Sequence, residues 1–408
     1  MLASLALLLP TLIPIACARR FEVPLTRRET DFLQRDGTVS LEAVAAEQLR
    51  IASKYQAASR TSDGNETTAV PGKRALANLP LNYDGQALWT GPISVGTPPQ
   101  PFNVYFDLGS TDLSLASSSC TDASCNGKAR YDTAASTTAQ DGKFTVASTW
   151  TSGNSGSGAL YRDTVKIGGA IATQQDVVAE KIIGDYVANR AADGVVGLAF
   201  RDLSAARSYS FPFTLAQQGA LPYFAMILSR VPGKSRIMFN GYDRKYLGSS
   251  PNWYPVSKDL DEQFRTLWQI GSSTPYVNNR VAWAGKTNFA FDSGTPLIIA
   301  PPDAAAEFWS NVPLSRAESD GMYSFICSRP PKVDLTFGRM TYRKFNVAPQ
   351  DFNLGPLAAD PTRCLGAVVG QNTGLGDTWL IGDAFLKSWM MIFDVSQNRI
   401  GISAPRSF

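Results

Sequence analysis

The sequence predicts an all-β protein made of two duplicated lobes that share a cleft. Two short turns read alike: Phe106-Asp107-Leu108-Gly109-Ser110 and Phe291-Asp292-Ser293-Gly294-Thr295. Each follows an apolar, strand-like run and sets a carboxylate just before a glycine and a hydroxyl. A hydrophobic-Gly segment follows each turn, Val195-Val196-Gly197-Leu198-Ala199-Phe200 and Leu380-Ile381-Gly382-Asp383-Ala384-Phe385. Gly197 lies 90 residues after Asp107, and Gly382 lies 90 residues after Asp292. One Asp-x-Gly-Ser/Thr turn arises often by chance; two with the same partner at the same offset imply an internal duplication. The 33 Gly and 25 Pro, with few long helical periodicities, favour many short strands. Two lobes, each offering one Asp to a shared cleft, suggest a carboxylate dyad that shares a proton.

Composition narrows the chemistry. The 408 residues are 44% apolar and 18% charged, enough for a sizeable core, and the length suits two to three domains. A net charge of +3 does not point to nucleic acid or an anionic membrane as partner. There is no histidine. That removes Ser-His-Asp and Cys-His hydrolases and every metal site that needs imidazole. Carboxylates, hydroxyls and Lys remain, with no side chain that ordinarily titrates near neutrality. Carboxylate chemistry at acid pH is compatible with this.

The elements follow in order. Leu5 to Ile15 is almost wholly apolar and precedes Ala16-Cys17-Ala18, a small-x-small cleavage pattern. Residues 1–18 read as a secretory signal peptide, although its start lacks Lys and Arg. The other reading, a membrane anchor, meets a run that is short and interrupted by Pro10 and Pro14. Residues 19–74 read as a propeptide, or else as an N-terminal arm without fixed structure. They are charge-rich, with ten basic and eight acidic residues, and free of Cys and Trp. Ser40 to Tyr55 is expected to be helical, with Leu41, Val44, Ala45 and Leu49 on one face. Asn65-Glu66-Thr67 is a glycosylation sequon, and Lys73-Arg74 ends the segment as a dibasic processing site. Residues 75–225 form the first lobe with Asp107, and 226–408 the second with Asp292; the junction falls near Leu221 to Ser229. Of five Cys, Cys17 leaves with the signal. An even remainder in a secreted chain favours disulfides, and proximity pairs Cys120 with Cys125 and Cys327 with Cys364. Neither pair has a metal-site pattern.

These motifs, in this order, resemble those of the pepsin-like aspartic proteases across roughly residues 75–408. Ile93-Ser94-Val95-Gly96-Thr97-Pro98-Pro99-Gln100 is similar to the family's first hairpin. Asp107 and Asp292 fall on its two catalytic positions. Gly153 to Gly158, then Asp163-Thr164-Val165, is similar to the flap hairpin and its exit strand. Asp193 to Leu198 and Trp379 to Asp383 match the segments threaded beside the catalytic loops, and Phe393-Asp394 through Arg399-Ile400-Gly401-Ile402 the closing strands. The resemblance implies a deep cleft that holds an extended polypeptide substrate by main-chain hydrogen bonds and side-chain pockets. It implies a monomer, no metal and no cofactor.

Two close carboxylates cannot both ionise cheaply, so one keeps a proton while the other stays charged. The charged one can take a proton from a water held between them, and the protonated one can donate to the scissile carbonyl. Gly109 and Gly294 let the turns approach each other. By the resemblance, Ser110 and Thr295 hydrogen-bond the outer carboxylate oxygens. Phe106 and Phe291 flank the dyad, and Trp150, Phe200 and Ile298 are candidates to line the cleft. If the propeptide works as in relatives, its basic residues sit on the cleft carboxylates at neutral pH; the sequence singles out none of them.

Three positions depart from the family pattern. Leu108 stands where relatives carry a Thr that braces the two loops beneath the dyad. The flap position usually held by Tyr is Thr151, beside Trp150 and ahead of Gly153, and a one-residue shift in a strand turns the side chain to the other face. Ser114 stands where relatives often place a Trp that supports that Tyr. Two functions follow. One is a secreted aspartic endopeptidase with an altered flap, working at acid pH outside the cell or, alternatively, in an acidic vacuole or lysosome. The other is a protein of the same fold with little or no protease activity, serving as a binding or inhibitor-like module.

Overall fold

The computed structural model describes residues 21–24, 26–27, 32–34, 36–61, 88–149, 155–188, 190–231, 233–258, 265–285, 287–338 and 343–406. The expected signal peptide, the Asn65 sequon, Lys73, Arg74 and the flap residues Trp150, Thr151 and Gly153 lie outside them.

The duplication read from the motifs appears as a repeated strand topology. In the first lobe, strand Gln100–Asp107 pairs in parallel with Gly194–Gly197, placing Asp107 opposite Gly197. In the second, strand Asn288–Phe291 pairs in parallel with Thr378–Ile381, placing Phe291 opposite Ile381. The strand after each Asp turn, Leu113–Ala116 or Ile298–Ala300, then packs antiparallel on the far side of that hydrophobic-Gly strand. Each of these pairs onward in parallel, with Ala170–Ile182 in the first lobe and Val368–Gly370 in the second. The four inner strands of the first pattern and its copy are buried along their lengths and apolar apart from Ser114 and Thr378, as suits strands covered on both faces.

A six-stranded antiparallel sheet joins the halves, in the order Phe21–Pro24, Arg236–Phe239, Tyr223–Ile227, Met390–Asp394, Arg399–Ser403, Asn252–Pro255. The expected lobe junction, Leu221 to Ser229, therefore contains a central strand of this sheet. Both of its faces are buried. Phe224 stacks on Phe393 at 4.5 Å between ring centres on one side, and Ala225, Ile227, Met238 and Ile392 cluster on the other. Its edge strand, Phe21–Pro24, comes from the segment ahead of the first lobe.

The same N-terminal segment supplies the longest helix among the described residues, Leu41–Thr61. Ser40 caps it: the Ser40 hydroxyl accepts from Ala43 N–H at 3.2 Å. Glu42 in the first turn suits the positive end of the helix dipole. Three of the four residues expected on one face pack there, Val44 fully buried and Leu41 and Ala45 half-buried, but the fourth does not. Val44, Glu47, Gln48, Ile51, Lys54 and Tyr55 are buried, whereas Leu49 is 67% exposed. This helix docks on a partly polar surface, so its contact stripe mixes apolar and charged residues at helical spacing. Val44, Ile51 and Tyr55 pack against Leu297, Ile299, Met322, Leu365 and Val369 of the second lobe.

Both disulfides form as paired above, Cys120–Cys125 and Cys327–Cys364. Among the described residues no helix is long and apolar enough to cross a membrane.

Candidate active site

The two Asp turns meet at the base of the cleft, and each carboxylate is fully buried. Their hydrogen bonds mirror each other. Asp107 Oδ1 accepts from Gly109 N–H at 3.0 Å, and its Oδ2 from the Ser110 hydroxyl at 2.5 Å. Asp292 Oδ1 accepts from Gly294 N–H at 2.8 Å, and its Oδ2 from the Thr295 hydroxyl at 2.6 Å. A short turn makes this possible: the amide two residues on and the hydroxyl three residues on both point back at the carboxylate. The structure thus brings together all six residues singled out in the two turns.

Glycine is required at two places around them. A Cβ at Gly109 would clash with the Tyr55 hydroxyl and lie 2.5 Å from Lys54 Nζ and 2.6 Å from Asp292 Oδ1, so a larger residue there would displace the Leu41–Thr61 helix side chains and crowd the facing turn. A Cβ at Gly197 would lie 2.5 Å from Thr111 N, in the turn that follows Asp107.

The brace beneath the dyad is half of what the resemblance implies. Ser293 Oγ donates to Phe106 C=O at 2.9 Å and accepts from Leu108 N–H at 3.1 Å. Leu108 has no hydroxyl to return these bonds and is instead buried in the apolar core. Ser114 is buried in its strand between Val178 and Val195. Phe106 and Phe291 are buried beside their turns. Two suggested cleft residues belong to the core instead. Phe200 packs on Trp268 at 4.5 Å between ring centres, and Ile298 is buried in its strand. Phe200 follows strand Gly194–Gly197 and Ile298 opens its own strand; each turns an apolar side chain inward, which sequence alone does not separate from a pocket lining.

What the sequence did not single out is the cation between the carboxylates. The Leu41–Thr61 helix places Lys54 Nζ 2.9 Å from Asp107 Oδ1 and 3.3 Å from both oxygens of Asp292. The next residue, Tyr55, donates its hydroxyl to Asp292 Oδ2 at 2.7 Å. Arg50, one turn earlier, donates to Gly294 C=O at 2.6 Å and pairs with Glu47. The helix therefore covers the dyad and satisfies its charge.

The environment splits the two carboxyls. Burial pushes Asp107 above the ordinary carboxylate range, and the Asp292 charge adds to this against the pull of Lys54. Burial would raise Asp292 as well, but Lys54 and hydrogen bonds from Thr295, Asp107 and Tyr55 outweigh it and hold Asp292 well below that range. One carboxyl thus favours its proton and the other its charge. This split belongs to the helix-covered state, since Lys54 and Tyr55 supply much of the pull on Asp292.

Comparison with known proteins agrees with this geometry. The family model described as eukaryotic aspartyl protease matches residues 88–405. The chain is similar to an aspartic protease of Phaffia rhodozyma, 31% identical over 81% of this chain and 80% of the relative. It is similar to pepsin A of Rhinolophus ferrumequinum, 27% identical over 80% of this chain and 84% of the relative. It is also similar to embryonic pepsinogen of Gallus gallus, 28% identical over 82% and 85%. The match begins at Leu88, the first residue of the first lobe that the structure describes, and leaves the dyad-covering helix outside it.

Proposed function

Since the chain belongs to the eukaryotic aspartyl protease family, whose members hydrolyse peptide bonds, we propose that it is a secreted endopeptidase made as an inactive precursor and opened by acid. Asp107 and Asp292 are the catalytic pair. The ionised partner draws a proton from a water held between them, and the protonated partner donates to the scissile carbonyl. The water oxygen adds to the carbonyl carbon, and the C–N bond then breaks as the amine takes up a proton. Gly109, Ser110, Gly294 and Thr295 hold the two carboxyls in position and leave their inner oxygens facing the substrate. The substrate is a polypeptide lying extended across the cleft, in the place the Leu41–Thr61 helix occupies. Trp150, Thr151 and Gly153 are the candidates to contact it, by their match in sequence to the family's flap.

Residues 19–74 are the propeptide in this reading. Lys54 neutralises the dyad while Tyr55 and Arg50 fill the space around it, so no substrate carbonyl reaches the carboxylates. Removal follows protonation of the cleft carboxylates and cleavage after Lys73-Arg74. The observation that carries the proposal is the paired one: two mirrored carboxylate turns, with one lysine bonded to both.

The test is hydrolysis of denatured casein by the full chain after exposure to acid, scanned from about pH 2.5 to 7, with and without pepstatin. Activity confined to acid, blocked by pepstatin, and lowered by about 10²-fold or more in both Asp107→Asn and Asp292→Asn supports it. A folded wild-type chain inert at every pH would instead support the binding-protein reading.

A further inference from the structure

The helix that covers the dyad makes a second ionic contact, with a residue of the first lobe. About two turns before Lys54 it carries Glu47, whose Oε2 lies 3.6 Å from Arg190 Nη2. Both side chains are 6% exposed. Arg190 stands in the segment that leads into strand Gly194–Gly197, the partner of the Asp107 strand. Its guanidinium lies 5.9 Å from the ring centre of Tyr105, two residues before Asp107. The segment is fixed independently of the helix. Lys128 Nζ donates to Val187 C=O at 2.7 Å, to Ala192 C=O at 2.9 Å and to Arg190 C=O. The nearby acid, Asp193, is engaged elsewhere: its oxygens accept from Ala129 N–H at 2.9 Å and Asn103 N–H at 2.8 Å. Glu47 itself is shared with Arg50 of its own helix.

We propose that Arg190 forms a cationic substrate subsite, which takes an acidic side chain of the polypeptide once the helix has left and for which Glu47 is the internal stand-in. This inference rests on the protease reading above. When the helix departs, Arg190 loses the carboxylate that meets it in the closed chain, and a substrate Glu or Asp can restore that pairing with good geometry. The position follows from helix geometry. Seven residues separate Glu47 from Lys54, about 10 Å along the helix axis. An extended peptide covers that distance in about three residues. The acidic side chain is therefore expected about three positions from the scissile bond.

The experiment is acid-opened full chain acting on peptides varied at each position within four residues of the cleaved bond, at about pH 5, where free Asp and Glu are largely ionised. The readout is the ratio of kcat/KM for Glu against Gln at each position. The expected result is a preference of about tenfold or more at one position, the scale of a charged hydrogen-bonded pair. Arg190→Gln should bring that ratio near one, Arg190→Glu should turn it toward Lys, and Arg190→Lys should keep a reduced preference. An active wild-type chain with no acidic preference anywhere, or one whose preference survives Arg190→Gln, overturns this inference alone. A chain that cleaves no peptide overturns the protease reading and this inference with it.

Discussion

At the scale of the residue, the site shows how much one hydroxyl can carry. Ser293 bonds both Phe106 C=O and Leu108 N–H, so the second turn holds the first although Leu108 returns nothing. Removing that hydroxyl strands a buried acceptor and a buried donor, each costing about 1–3 kcal/mol. Ser293→Ala is therefore expected to lower the urea midpoint of unfolding and to reduce kcat, because the carboxylates lose their relative position. Leu108→Thr adds a hydroxyl on the side where none exists but takes a fully buried leucine out of the core, so a net loss of about 1–3 kcal/mol in urea unfolding is expected. Hydrolysis should change by less than about tenfold, since the Leu108 side chain lies in the apolar core. A Leu108→Thr protein that gains activity by several orders of magnitude would show that the missing brace, not the helix, limits the natural chain.

At the scale of the element, the Leu41–Thr61 helix is held by apolar packing at its sides and by ionic contacts along its buried face. Ile51 is fully buried, and Ile51→Ala is expected to cost about 2–5 kcal/mol of the docked state. The full chain should then open at higher pH, read as the pH at which hydrolysis first appears. Acid acts on the ionic contacts with a definite sign. Burial would raise Glu47, but Arg50 and Arg190 outweigh it and hold Glu47 below the ordinary range, as Lys54 and its neighbours do for Asp292. A carboxylate depressed by docking stabilises the docked state above its free value, about pH 4, and this is lost as pH falls through the depressed value. Asp107 is raised by burial and by Asp292, which faces it with or without the helix, while Lys54 pulls it down. With Glu47 held down by Arg50 and Arg190 and Asp292 by Lys54, the closed form is expected to weaken below about pH 4. Glu47→Gln removes one acid-labile contact and leaves two buried guanidinium groups facing an amide, so its opening should shift to higher pH. The helix itself was legible from spacing and from Ser40. Its docked face was legible only in part: Leu41, Val44 and Ala45 pack on it, but Glu47, Gln48 and Lys54 are buried by what they meet outside the helix, while Leu49 is exposed.

At the scale of the whole molecule, the fold was legible because it is written twice. The Asp turn and the hydrophobic-Gly strand recur at one offset, and the topology repeats around them. The two halves are then tied across the cleft by buried indoles: Trp89 Nε1 donates to Asp383 at 2.9 Å, and Trp268 Nε1 to Leu198 C=O at 2.9 Å. The partners of the dyad were not legible. Lys54 reaches Asp107 across 53 residues and Asp292 across 238, and nothing local distinguishes it from the other basic residues of its segment. Arg190 escaped for the same reason, since its partner lies on a separate element. The central claim is that one carboxylate pair serves both hydrolysis and closure of the chain by its own helix. The most direct measurement is binding of the full chain to immobilised pepstatin as a function of pH, wild type beside Lys54→Met. We expect wild type to be retained only in acid and Lys54→Met to be retained at clearly higher pH. Equal retention of the two proteins at every pH, or retention of wild type at neutral pH, would contradict it.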